Sequence, residues 1–164
     1  MQYSVFVKLE PYLGQWFVNK YGGSVPVVLE RGCTESRFIE ASLDRMPSDA
    51  VPKLKAEEGE VEIILPHYKA FDVETYNYLS PTDLKMLHDV IREAFLLNLD
   101  TDYLKVATLL SSRKGPQKQD WVESWMRKHG IVFDDTNFNT VLKILRRLHD
   151  SKRRSILRMK NKKK

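Results

Sequence analysis

Ser80-Pro81-Thr82-Asp83-Leu84-Lys85-Met86-Leu87-His88-Asp89-Val90-Ile91-Arg92-Glu93-Ala94-Phe95 is the stretch on which the fold turns. A serine able to cap, a proline in the first turn and an acid where the helix dipole favours negative charge together start a helix. Leu84, Leu87, Ile91 and Phe95 then recur at helical spacing, which predicts one buried face on a helix running to about Leu99. Strand and helix patterns mix before this point; only helical patterns follow it.

Working back towards the amino terminus, Glu60-Val-Glu-Ile-Ile-Leu65 is the clearest strand, ended by Pro66. Tyr3 to Leu9 is a second, rich in β-branched and aromatic residues. Pro11 opens a short helix that buries Tyr12, Trp16 and Phe17 and stops at Gly22-Gly23. Val25 to Leu29 reads as an edge strand, because Pro26 has no amide hydrogen for a ladder. Thr34 is expected to cap a helix to about Arg45, with Phe38, Ile39 and Leu43 inward. Pro47 and Pro52 mark 46–59 as a surface loop, and the aromatic segment His67 to Leu79 is expected to pack across the sheet.

Working forward, Asp100 or Thr101 is expected to cap a further helix through about Leu110. Gly115-Pro116 then breaks the chain inside a basic loop, Arg113 to Lys118. Asp120 to His129 reads as a helix with Trp121, Val122, Trp125 and Met126 on one face, closed by Gly130. Thr136 or Asn137 caps the long last helix, whose buried stripe is Phe138, Val141, Leu142, Leu145 and Leu148. The fold class is therefore α+β: 1–80 a small part of about three strands and two helices, 81–164 a module of four helices ending in a basic one. The last three of these, with their Gly-Pro loop and Gly130 turn, are the pattern of a helix-turn-helix type of module, although the turn from Gly130 to Asp135 is longer than usual.

The 164 residues are 42% hydrophobic and 30% charged, ordinary globular usage that argues against wholesale disorder. A single cysteine, Cys33, excludes an internal disulfide and suits a reducing, cytoplasmic setting. The amino terminus lacks the basic start and apolar run of a secretory signal, and no apolar stretch approaches the roughly 18 residues of a membrane span.

The net charge of +5 hides an asymmetry. Residues 1–112 hold 11 Lys and Arg against 17 Asp and Glu, whereas 113–164 hold 16 against 5. From Lys143 to Lys164 there are 11 basic residues and one acid, Asp150. A cationic arm on an acidic body calls for a polyanion, so the expected partner is nucleic acid, duplex DNA before RNA, with the acidic part left for a protein. Asn137, Asn139, Lys143, Arg146 and Arg147 are placed to reach base edges. Lys118, Lys152, Arg153, Arg154, Arg158, Lys160, Lys162, Lys163 and Lys164 are placed to hold phosphates. Membrane attachment would need bulky apolar residues opposite these charges, and beyond Leu148 only Ile156, Leu157 and Met159 serve.

No catalytic pattern emerges, and neither an enzyme nor a cofactor is expected. His67, His88, His129 and His149 stand apart, without the spacing that metal chemistry uses. Tyr76-Asn-Tyr78 resembles a strand-cleaving tyrosine pair only in composition, since such a site also wants clustered histidines. Lys20-Tyr-Gly-Gly-Ser24 is not a phosphate loop; among the acidic neighbours Glu57, Glu58, Glu60 and Glu62, strand alternation puts Glu60 and Glu62 on one solvent face; and Cys33 reads as structural.

Tyr3-Ser-Val-Phe-Val-Lys-Leu-Glu-Pro-Tyr-Leu13, Val61-Glu-Ile-Ile-Leu-Pro-His-Tyr-Lys69 with Tyr76-Asn-Tyr-Leu-Ser80, and Trp121-Val-Glu-Ser-Trp-Met-Arg-Lys-His-Gly-Ile131 resemble small uncharacterised proteins of bacterial prophages and mobile elements. That resemblance implies a setting in which DNA handling is common, and it supplies no active site. The function expected is non-catalytic DNA binding by a regulator or accessory factor. The alternative is an assembly component whose basic tail meets an acidic partner or packaged nucleic acid.

Overall fold

The computed structural model describes residues 3–66, 72–109 and 117–161, the last with side chains through 150. It is α+β and divides into two compact units, Met1–Phe95 and Leu96–Lys164.

In the first unit, β1 (Ser4–Lys8), β4 (Glu60–Ile64) and β2 (Val27–Val28) form a sheet in the order β1-β4-β2. Strand β4 takes the centre, antiparallel to β1 and parallel to β2. Its alternation puts Val61 and Ile63 into the core while Glu60 and Glu62 stay half-exposed. The Pro26 segment is at the sheet edge, as a residue without an amide hydrogen requires. Helix α1 (Pro11–Lys20) buries Tyr12, Leu13, Trp16 and Phe17, and the chain leaves it through Gly22 and Gly23 at φ +98° and +77°, a region that glycine enters without a Cβ clash.

Two boundaries differ from the sequence reading. Helix α2 (Thr34–Ser42) is capped by Cys33, whose Sγ accepts from the Ser36 amide at 3.3 Å, so Thr34 is the first helical residue rather than the cap. The helix also ends before Arg45, because Leu43 turns to extended backbone and β3 (Asp44–Arg45) pairs with β5 (Tyr76–Tyr78). The Arg45 guanidinium sits over the Tyr76 ring at 5.5 Å, a contact between distant positions that no local pattern announces. Of the aromatic segment 67–79, residues 67–71 lie outside the described residues.

Glu35, on α2, is 1% exposed, and its Oε1 accepts from Lys20 Nζ at 2.7 Å. Burial pushes the carboxyl up, but the Lys20 hydrogen bond and charge outweigh it, and the group lies below its ordinary value of 4.5. Such a depressed carboxylate contributes stability above the ordinary value, and that contribution is lost as pH falls through the lowered one. The pair is asymmetric, since the Lys20 side chain is 35% exposed and Glu35 2%. Lys20→Met strands a buried carboxylate and is expected to cost about 3 kcal/mol. Glu35→Gln leaves a lysine that water can solvate, and about 1 kcal/mol is expected. Urea denaturation at neutral pH compares the two, and equal costs would contradict this account.

Helix α3 (Pro81–Leu109) begins as predicted. The Asp83 amide donates to Ser80 Oγ at 3.1 Å and the Ser80 amide to Asp83 Oδ2 at 3.2 Å, a reciprocal cap. It does not stop at Asp100 or Thr101. The buried stripe Leu87, Ile91, Phe95 continues at four-residue steps into Leu99 and Tyr103, and neither glycine nor proline interrupts it, so two expected helices are one. Phe95 closes the first unit, fully buried, with its ring edge-on to Tyr12 and Trp16 at 5.3 and 5.4 Å.

The second unit packs the later turns of α3 with α4 (Lys118–Lys128) and α5 (Asp135–Asn161). Val122, Trp125, Met126, Val141, Leu142 and Leu145 are its buried core. Trp125 Nε1 donates to Asp102 Oδ2 at 3.1 Å, and Tyr103 meets the rings of both Trp121 and His149. His129 packs on Trp125 at 4.3 Å; burial lowers its pKa, outweighing Asp102 at 3.3 Å, which favours the charged ring. Gly130, at φ +70°, ends α4 while the Ile131 amide reaches back to the Met126 carbonyl at 3.0 Å, and Ile131 is buried beneath the turn.

Candidate nucleic-acid interface

Helix α5 is held by its apolar side and exposes the other. Val141, Leu142 and Leu145 are buried; Asn139, Lys143, Arg146 and Arg147 are exposed, and steps of three and four residues place these four on one face. Among the described residues, no carboxylate forms an ion pair with Lys143, Arg146 or Arg147. Their charge is therefore directed to solvent.

Asn137 is not part of this face. It is 3% exposed, its side-chain amide donates to the Val132 carbonyl at 3.0 Å and to Asp134 Oδ2 at 3.1 Å, and its own amide donates to Asp134 Oδ1 at 2.7 Å. Asp134 thus caps α5, in place of the expected Thr136 or Asn137, and the Asn137 side chain is turned inward to seal the turn. Asn137→Ala should lower stability by about 1–3 kcal/mol, because the two hydrogen bonds that its buried side-chain amide donates are lost, while leaving any DNA preference unchanged. A melting curve and a binding isotherm on the same variant check both halves.

Lys118 is the first residue of α4, half-exposed. It lies one turn before Trp121, and Tyr103 links Trp121 to His149, so Lys118 lies towards the His149 end of α5, away from Asn139. Lys152, Arg153, Arg154, Arg158 and Lys160 continue α5 along its backbone, with their side chains outside the described residues. Lys162, Lys163 and Lys164, like the Gly115-Pro116 loop, lie outside the described residues altogether.

The sequence reading passed over the tip of the α4–α5 connection. Val132 and Phe133 are 56% and 42% exposed, and Arg127 stacks its guanidinium over the Phe133 ring at 5.3 Å. Three consecutive apolar residues between Gly130 and Asp134, more than one short turn can bury, are a local signal that would have found them. Among the described residues no group of three or more His, Cys, Asp or Glu side chains is arranged to hold a metal ion, and no helix is long and apolar enough to cross a membrane.

No protein family, curated protein or solved structure matches the chain.

Proposed function

We propose that this is a non-catalytic nucleic-acid-binding protein that grips duplex DNA through α5, acting in the cytoplasm as a regulator or accessory factor of a prophage or mobile element. The observation that carries the reading is the row of exposed cations, Lys143, Arg146 and Arg147, without ion pairs among the described residues, on a helix whose opposite side is buried. The charge of 113–164, 16 basic residues against 5 acids, extends that row in both directions along the chain. A phosphate backbone is the natural complement, since each neutralised phosphate releases close to one counterion. In its sharper form α5 enters a groove as a recognition helix, with Asn139, Lys143, Arg146 and Arg147 reaching base edges and the cations from Lys152 onward holding phosphates. The mobile-element setting rests on the sequence resemblance alone.

Electrophoretic mobility shifts with a duplex, its separated strands and the matching RNA test this. Tightest retention of the duplex supports it; retention of none of the three at low salt ends it. Scrambling the duplex separates groove entry, which loses affinity, from backbone tracking, which does not.

A further inference from the structure

Strand β1 has the composition of an interior strand and the position of an edge strand. Val5, Phe6 and Val7 are 6%, 8% and 1% exposed, so both its faces are covered, yet among the described residues the sheet order β1-β4-β2 gives it a strand neighbour on one side only. The ladder to β4 uses alternate residues: the Leu65 amide donates to the Tyr3 carbonyl at 2.8 Å and the Leu9 amide to the Gly59 carbonyl at 3.0 Å, with Val5 opposite Ile63 and Val7 opposite Val61 between them. The amides and carbonyls of Ser4, Phe6 and Lys8 therefore point to the other edge. None of them bonds to a described residue, and β5 approaches without forming a ladder.

Along that edge lie two adjoining hollows, of about 520 and 630 Å³, which share Phe6 and Leu84 in their walls. One is overhung by Val51 and Leu54, which are 88% and 86% exposed. The other is lined by Lys8, Lys85, Glu10, Glu60 and His88. Its acids are engaged, Glu10 with His88 at 2.9 Å and Glu60 with Lys53 at 2.7 Å, whereas Lys8 and Lys85 form no ion pair among the described residues. Across the two hollows the lining holds three lysines, Lys8, Lys53 and Lys85, against two glutamates, Glu10 and Glu60.

We propose that these hollows form a peptide-binding site, taking an extended segment of a partner protein as an added strand on β1. The occupant carries apolar side chains over Phe6 and Leu84 and an acidic residue facing Lys8 and Lys85. Backbone hydrogen bonds to Phe6 and Lys8 supply affinity, and the alternate side chains supply specificity. The added strand would also cover an exposed edge and the Val51 and Leu54 side chains, both of which are association liabilities when left bare.

The test uses the full chain and two acetylated, amidated pentapeptides, Glu-Thr-Val-Thr-Val and Val-Thr-Val-Thr-Glu, which offer the acid to Lys8 in the antiparallel and parallel sense. Amide hydrogen exchange of Phe6 and Lys8 is followed by NMR. One of the peptides at millimolar concentration is expected to slow exchange at both amides at least tenfold. The same peptide N-methylated at alternate amides, or paired with the Lys8→Glu/Lys85→Glu variant, should lose that protection. No protection by either peptide, or equal protection by the N-methylated form, overturns the proposal. Protection of Phe6 and Lys8 without peptide, together with a dimer in sedimentation, overturns it in favour of a second copy of this chain. DNA is absent throughout, so the outcome is independent of the α5 reading.

Discussion

Replacing Lys143, Arg146 and Arg147 together with alanine is expected to weaken duplex binding by about a hundredfold or more while leaving the fold intact. All three side chains are exposed, and no described acid pairs with them, so their removal breaks no ion pair among the described residues. Surface changes of this kind usually alter stability by less than about 0.5 kcal/mol each, and the melting temperature should hold to within a few degrees. The loss in binding has two parts. Each phosphate contact removed takes about 0.9 from the magnitude of the log–log salt slope, and each base contact removed costs about 1–3 kcal/mol of discrimination. Anisotropy with a specific and a scrambled duplex separates them. Uniform weakening means that α5 tracks the backbone, and weakening confined to one sequence means that it enters a groove. Unchanged affinity would place the binding surface elsewhere.

Phe95→Ala tests the packing of the first unit. The ring is fully buried and meets Tyr12 and Trp16 edge-on, so its removal takes away transferred apolar area and leaves a cavity between α1 and α3. The expected cost is about 3–5 kcal/mol, a large share of the roughly 5–15 kcal/mol by which a folded domain is stable. Leu97, two residues further on and 69% exposed, is the internal control: Leu97→Ala should cost less than about 0.5 kcal/mol. Similar costs at the two positions would contradict the helix phase on which the α3 stripe rests.

Much of the fold was legible because it is written in local chemistry. The Ser80-Pro81-Thr82-Asp83 start, the strand ended by Pro66, the Gly22-Gly23 stop and the Gly130 turn each act within a few residues, and each lies where the sequence puts it. What was not legible depends on partners far along the chain. Asp100 and Thr101 look like a cap, but Leu99 and Tyr103 carry the buried stripe through them and burial wins over propensity. Arg45 looks helical until Tyr76 and Tyr78 supply a strand for its segment to pair with. At the candidate interface, exposure of Lys143, Arg146 and Arg147 follows from the position of the apolar stripe. Asn137 could not be sorted the same way, because its burial depends on the path of the turn from Gly130 to Asp134, and a polar residue at a helix start reads alike as cap, seal or base reader.

The salt dependence of full-length chain binding to one duplex, followed by anisotropy from about 50 to 200 mM salt, bears on the α5 reading with the fewest intervening assumptions. If the basic face neutralises about five phosphates, the log–log slope is about −4 to −5 and affinity falls by close to three decades across that range. A slope near zero would mean that Lys143, Arg146, Arg147 and the cations beyond them meet something other than a polyanion.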